Sequence, residues 1–316
     1  MGINLLYCFD KNYDKQAFVS INSILRNINF PVSIFIIHET PETFNGYKNQ
    51  ISLKDNVERI IVYPFKKNNY DFPNLKDKHI SKATYFRMFI KEYLPSNLEK
   101  VLYVDPDIVC LNEATAAITN EFQKLLSSEF TIAARETGTI KDSFEMFAKL
   151  GLKGTGYFNA GVMFINYKRW QKGQITEELI KTMNKNYDNI IYWDQDVLNL
   201  YFDGNFQKIS KSLNFNFTSK FNDKNYIDSV KETTVFLHYS GKVKPWYLIG
   251  IFQEYSNFYQ DMFREVFKEK YHIERYSSKR RYLFELIHFI YKFKFISLKF
   301  PISFLIISTK KLFSFK

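Results

Sequence analysis

The amino-acid sequence predicts an α/β protein with a mostly parallel central sheet flanked by helices. Short apolar runs of strand length alternate with segments of helical spacing, and turn residues separate the two. Strand–helix–strand order of this kind builds parallel sheets, whose ligands bind at the carboxyl ends of the strands. Two of the predicted strands end there in aspartate, Asp10 and Asp105.

The elements follow in order. Ile3–Phe9 reads as the first strand. Phe18, Ile21, Ile24, Leu25 and Ile28 recur at helical spacing across Tyr13–Ile28. Val32–His38 and Arg59–Tyr63 read as strands, and Ser81–Tyr93 as a helix stopped by Pro95. Val101–Val104 is a fourth strand, running into Asp105-Pro106-Asp107. After a strand at Thr131–Ala134, the segment Arg135–Gly156 lacks periodicity and reads as a surface loop or a cover over a site. Val162–Ile165 and Val235–Tyr239 are further strands; Lys168–Tyr187, Asp194–Tyr201 and Phe252–Lys268 are helix-like.

The chain has 316 residues, of which 46% are hydrophobic, enough to bury a sizeable core. Its two cysteines, Cys8 and Cys110, sit in or beside apolar strands and read as core residues, compatible with a reducing compartment. The net charge of +11 is uneven. Residues 279–316 carry nine Lys or Arg against Glu285 alone, so the remainder is nearly neutral. A neutral body with a basic, greasy tail favours an anionic membrane surface over nucleic acid as partner. As a helix, the tail places Glu285, His288, Lys292 and Lys299 on one stripe amid apolar residues, and Pro301 divides it. Its longest uncharged stretch, Phe300–Thr309, is about half of a spanning helix.

Asp105 and Asp107, at i and i+2 on a turn stiffened by Pro106, can both reach a hard divalent cation. His238, at the end of the last strand, could be a third ligand and would favour manganese over magnesium. Lys244 follows in a loop after Gly241 and could donate to a phosphate. Asn159, Ala160 and Gly161 open a strand with small and amide side chains suited to sugar hydroxyls. Asp194, Gln195 and Asp196 stand at a helix start, as caps or as hydroxyl partners.

Six blocks in order, "FDKNY", "TYFRMF", "VLYVDPDIV", "YFNAGVMFIN", "WDQDVLN" and "HYSGKVKPW", resemble glycosyltransferase family 8, and within it the bacterial lipopolysaccharide galactosyl- and glucosyltransferases. The likeness runs from about residue 3 to residue 250. It implies a Rossmann-like GT-A fold, a UDP-sugar donor, Mn2+ (or Mg2+), and hexosyl transfer with retention. On the matched positions it implies metal ligation by Asp105, Asp107 and His238. Asp10, Asn12 and Tyr13 would hold the uridine end. Arg87 and Asp194 would grip the donor sugar, in a pocket lined by Asn159 and Ala160. Gln195 would lie beside the anomeric carbon, and Gly241 and Lys244 would clamp the diphosphate. His79, Ile80 and Glu136 would lie toward the acceptor. Pro106 and Cys8-Phe9 depart from the family's usual small residues.

Retention ordinarily suggests a carboxylate nucleophile. Gln195 is a poor one, so front-face attack by the acceptor hydroxyl is expected. The expected organisation is a catalytic unit over 1–250, a closing helix and connector over 251–278, and a membrane-associating tail over 279–316. The acceptor is a cell-surface glycan, membrane-linked, or else a glycoprotein, and the protein is expected in the cytoplasm at the inner face of the membrane. A noncatalytic nucleotide-sugar-binding protein is the rival reading. Nucleic-acid binding would leave the six blocks unexplained. Removal of residues 279–316 is expected to release the protein from membranes while sparing activity.

Overall fold

The computed structural model describes residues 2–66, 70–75, 81–139, 149–153, 156–217 and 224–314. The strands are β1 (Ile3–Phe9), β2 (Val32–His38), β3 (Val57–Pro64), β4 (Lys100–Val104), β5 (Ile108–Cys110), β6 (Ile132–Thr139), β7 (Gly156–Asn166), β8 (Gln207–Lys208), β9 (Phe215–Asn216) and β10 (Phe236–His238). Seven form the main sheet in the order β3-β2-β1-β4-β7-β6-β8. The β1–β2, β2–β3, β1–β4 and β6–β8 pairs are parallel; β7 is antiparallel to both β4 and β6. The α/β architecture expected from the sequence is therefore present.

Strand alternation divides the core. Leu5, Tyr7 and Phe9 of β1 join one buried cluster, with Phe18, Ile21 and Ile24 of the helix Asp14–Arg26. Leu6 and Cys8 join the other, with Tyr85, Phe86 and Phe89. Both faces are covered, which is why these strands read as continuous apolar runs rather than alternating ones. Cys8 and Cys110 are free and buried, as expected.

A small second sheet, β5-β10-β9, sits at the end of β4. β10 is antiparallel to β5 and parallel to β9. The tripeptide Asp105-Pro106-Asp107 is thus the crossing from one sheet to the other.

Several elements differ from the sequence expectation. Lys82–Phe89 is a 3-10 helix, followed by one α-turn at Ile90–Tyr93. Ala83, Tyr85, Phe86, Arg87, Met88 and Phe89 are all buried, so no single 3.6-residue face governs the segment. The predicted helix Lys168–Tyr187 is broken into Tyr167–Lys172 and Ile175–Lys185 by Gly173 and a left-handed Gln174. β6 continues through Arg135–Thr139, and β7 begins at Gly156; pairing between them extends both past their apolar runs, with two register shifts. Arg135–Thr139 is therefore strand rather than surface loop or cover; most of the rest of that segment, and His79 and Ile80, lie outside the described residues.

The C-terminal residues form two antiparallel-connected helices, Lys279–Tyr291 and Pro301–Phe313, joined through a 3-10 turn at Lys294–Ser297. Tyr282, Leu286, Phe289, Phe304 and Leu312 pack with Leu248, Ile251, Tyr271 and Ile273. Among the described residues no helix is long and apolar enough to cross a membrane. Glu274, in the connector, meets Lys311 of the last helix at 2.6 Å and His272 at 3.2 Å. Burial raises the Glu274 carboxyl, but His272 and Lys311 together lower it further, from 4.5 to about 2. A carboxyl depressed in the folded state stabilises fully above its unfolded value and loses that contribution as the pH falls. The packing of this hairpin should therefore weaken as the pH drops from about 4.5 towards 2. Glu274→Gln should flatten the acid limb of a melting-temperature profile; a profile identical to wild type would contradict the assignment.

Candidate active site

The strand ends bring the predicted residues together. Asp105 follows β4, where its N–H donates to Gly161 O of β7 at 2.8 Å. In the second sheet His238 pairs with Ile108, the residue next to Asp107, and Tyr239 N–H donates to Asp107 O at 3.1 Å. This register sets one imidazole against two carboxylates. His238 Nε2 lies 3.2 Å from Asp107 Oδ1 and 3.7 Å from Asp105 Oδ2. One ligand atom from each of the three residues falls within 4.8 Å of the others.

The tautomer of His238 follows from its neighbours. Asn159 Oδ1 accepts from Gly161 N–H at 3.0 Å and from Asn214 Nδ2 at 2.9 Å. With its amide so turned, Asn214 presents Oδ1 to His238 Nδ1 at 2.9 Å, and Nδ1 carries the hydrogen. The Nε2 lone pair of the neutral ring then faces two anionic oxygens. That arrangement is repulsive unless a proton or a cation stands between them. Two carboxylates and an oriented imidazole suit a divalent cation, so the residues present fit a metal.

Each ligand is held from behind. Tyr103 Oη donates to Asp105 Oδ1 at 2.5 Å, and Arg87 Nη1 lies 3.2 Å from the same oxygen. Lys244 Nζ donates to Asp107 Oδ2 and, at 2.7 Å, to Tyr239 O. Burial raises the Asp107 carboxyl, yet the Lys244 ammonium holds it well below the usual carboxylate range. Arg87 is buried; its Nε is 2.6 Å from Asp194 Oδ2, and its Nη1 donates to Ala160 O at 2.6 Å. Arg87 thus ties Asp105 and Asp194 to one wall. Burial pushes the Asp194 carboxyl up to about 6 against the pull of Arg87.

Gln195 belongs to a second network. Its Oε1 accepts from Asn159 Nδ2 and from Ala160 N–H, each at 3.1 Å, and its Nε2 donates to Tyr157 Oη at 3.0 Å. Tyr157 Oη in turn donates to Asp196 Oδ1 at 2.5 Å. Asp196 Oδ2 also accepts from Ile191 N–H and Tyr192 N–H, so it braces the turn ahead of the helix Trp193–Phe202. Trp193 stands in the left-handed region with φ 52° just before Asp194 and Gln195, a conformation costing a bulky residue about 1–3 kcal/mol.

These residues line a cavity of about 510 Å³. Asp10, Tyr13, Arg87, Asp105, Pro106, Asp107, Asn159, Asp194, Gln195, His238, Gly241 and Lys244 all border it. Gly241 takes φ +81°, which its missing Cβ permits. Ala160, expected in the pocket lining, does not border the cavity; its N–H donates to Gln195 Oε1 and its carbonyl accepts from Arg87. Asn12 borders an adjoining cavity and donates to Asp10 Oδ2 at 3.2 Å. Glu136 does not border the main cavity; it pairs with Lys208 at 2.8 Å. Tyr103, Tyr157 and Asn214 escape sequence reasoning because each is an isolated polar residue with no spacing signal.

The mostly parallel sheet and the Asp-x-Asp-plus-His cluster at its strand ends define a metal-competent α/β site. The model of glycosyl transferase family 8 matches residues 4–250, and the chain belongs to that family. A putative glycosyltransferase of Haemophilus influenzae is 30% identical over 255 residues, covering 78% of this chain and 73% of its own. A lipopolysaccharide 1,2-glucosyltransferase of Escherichia coli is 27% identical over 314 residues, covering 93% and 87%. A lipopolysaccharide 1,3-galactosyltransferase of Salmonella typhimurium is 29% identical, covering 81% and 77%. In fold, the chain is similar to the galactosyltransferase LgtC, solved with donor and acceptor sugar analogs. The TM-score is 0.67 at 23% identity, over 83% of this chain and 96% of that one. The chain is thus a family 8 glycosyltransferase with the GT-A fold, as its motif order leads one to expect.

Proposed function

We propose that this enzyme moves galactose or glucose from a UDP-sugar to a membrane-linked glycan, with Mn2+ held by Asp105, Asp107 and His238. The observation that carries this reading is the His238 lone pair turned toward two carboxylates at one end of the cavity. Bound there, the ion would neutralise the diphosphate and make it a better leaving group. Lys244, one residue's reach away, adds a point charge for the same phosphates. Arg87 and Asp194 fix the sugar side of the cavity, and Gln195 faces the reacting carbon. The lipopolysaccharide transferases among its relatives support a lipid-linked acceptor. Purified protein should hydrolyse UDP-galactose or UDP-glucose with Mn2+ and stop in EDTA. A folded protein that turns over no UDP-hexose with Mn2+ would overturn the proposal.

Front-face attack by the acceptor hydroxyl suits the surroundings of Gln195. Its amide oxygen already accepts two hydrogen bonds, and the neighbouring Asp194 carboxylate is tied to Arg87. Neither is a free nucleophile. The departing phosphate oxygen then takes the acceptor's proton. Gln195→Ala should lower kcat roughly 10- to 100-fold through lost positioning, without abolishing turnover. A sugar trapped covalently on Gln195 or Asp194 would exclude this route.

The C-terminal hairpin is the proposed membrane contact, at the inner face of the cell membrane. One side packs on the body; the other leaves Phe284, Ile287, Tyr291, Phe293, Ile302 and Ile306 exposed. Arg280, Lys292, Lys294 and Lys310 are exposed beside them. Apolar surface rimmed by basic residues matches an anionic headgroup layer. The double variant Phe284→Glu/Ile287→Glu should no longer sediment with phosphatidylserine vesicles at low salt. Equal sedimentation of variant and wild type would remove the membrane assignment.

A further inference from the structure

The main cavity adjoins a second one of about 420 Å³, and the two share Asp10, Tyr13, Ser81, Tyr247 and Tyr276 as lining. Four of these lie within the stretch that matches the family, residues 4–250. Tyr276 does not. It belongs to the connector between the helix Ser256–Phe267 and the C-terminal hairpin.

That connector is pinned from both sides. On the catalytic side, Glu274 N–H donates to Trp246 O at 2.7 Å, and Glu274 and Tyr247 form a parallel bridge. The Tyr276 and Tyr247 rings lie 5.1 Å apart. On the hairpin side, Lys311 Nζ reaches Glu274 Oε2 at 2.6 Å, and the Arg281 guanidinium lies 5.9 Å from the centre of the Tyr276 ring. The two C-terminal helices therefore each hold one residue of the segment 274–276. Tyr276 is half-buried, so part of its ring remains open to the cavity.

The metal cluster and Lys244 define the pyrophosphate end of the cavity, and Asp194 and Gln195 its sugar side. Tyr13, Tyr247 and Tyr276, with Asp10, line the part of the cavity that borders the second one. Aromatic faces suit a nucleobase, and a carboxylate suits ribose hydroxyls. We propose that Tyr276 contacts the nucleoside half of the donor, and that Lys311 acts as a positioning residue by holding Glu274 and with it Tyr276. The inference rests on the donor reading above. It adds that the C-terminal helices are part of the donor site's support, so that removing residues 279–316 costs donor affinity as well as any membrane contact.

Calorimetric titration of the full chain with UDP in Mn2+ tests this. Tyr276→Leu, which keeps bulk and loses the aromatic face, should raise the Kd for UDP roughly tenfold. Tyr276→Phe should stay within about twofold of wild type, since the face is retained. Lys311→Gln should raise Kd about threefold, raise the donor KM in step and leave kcat within about twofold, as loss of uniform binding requires. In a Tyr276→Leu background Lys311→Gln should add nothing, because its effect passes through that ring. A merely structural role for Lys311 would instead add in full and lower kcat, and would overturn the proposal. So would Tyr276→Leu binding UDP as tightly as wild type. If the wild-type chain itself binds no UDP with Mn2+, the donor reading fails and takes this inference with it. If the wild type binds and the variants match it, only this inference falls.

Discussion

Asp107→Asn should reduce kcat/KM by at least about a thousandfold, more than any other single change at the site. The carboxylate of Asp107 does two things at once. Its Oδ1 faces His238 Nε2, and its Oδ2 takes the Lys244 ammonium. An amide there removes one anionic ligand from the cation cluster and leaves a buried lysine without its counter-ion. Breaking a buried pair on one side costs about 3–5 kcal/mol, so the melting temperature should fall too. The two losses are separable. Adding Mn2+ should stabilise wild type against heat and leave the variant unmoved. Turnover of the variant at the wild-type rate, or in EDTA, would refute the role given to Asp107.

Gly161→Ala should be nearly as damaging, although it adds only one methyl group. A Cβ at Gly161 would stand 2.2 Å from His238 Cε1, 2.7 Å from its Nδ1 and 2.9 Å from Asp105 Oδ2. Neither neighbour can step aside. The imidazole is tied to Asn214, and Asp105 is tied to Tyr103 and Arg87. The methyl group therefore wedges two cation ligands apart. A loss of about a hundredfold or more in activity is expected, with weaker Mn2+ binding and about 1–3 kcal/mol of overpacking strain. Gly46→Ala supplies the control. Nothing lies within 4 Å of that position, which is inside the helix Asn45–Ser52. The same substitution there should be neutral or stabilise by up to about 1 kcal/mol. Equal Mn2+ affinity in Gly161→Ala and wild type would show that the cluster tolerates the wedge.

Much of this site was legible in the sequence because its residues stand at the carboxyl ends of apolar strands. Asp10, Asp105 and His238 could be placed at one edge by counting runs. The residues that hold them could not. Asn214 fixes the His238 tautomer from a short 3-10 turn, and Tyr157 steadies Gln195 across more than thirty residues. Such partners carry no period and no spacing, only a position in space. The same holds for Lys82–Phe89, where burial on all sides overrides the amphipathic pattern that a helix needs. Gly173 did offer a signal for the break between its two helices, since glycine commonly follows a helix end. The contribution of Glu274–Tyr276 to the cavity wall depends on how the C-terminal hairpin packs, and no local feature announces it.

The three-residue pairing of β5 with β10 has a consequence for how this scaffold tolerates change. A slip by one residue in that ladder would turn the imidazole to the opposite face of the small sheet, away from both aspartates. The ladder thus works as a gauge: it measures alignment between two chain ends and is indifferent to the distance travelled between them. Lengthening the surface loops of the excursion from Cys110 to Phe236, apart from β7, the helix Trp193–Phe202 and Asn214, leaves the cation ligands aligned, whereas a single insertion inside β10 does not. New acceptor pockets can therefore be built along that excursion while the chemistry at its two ends stays fixed.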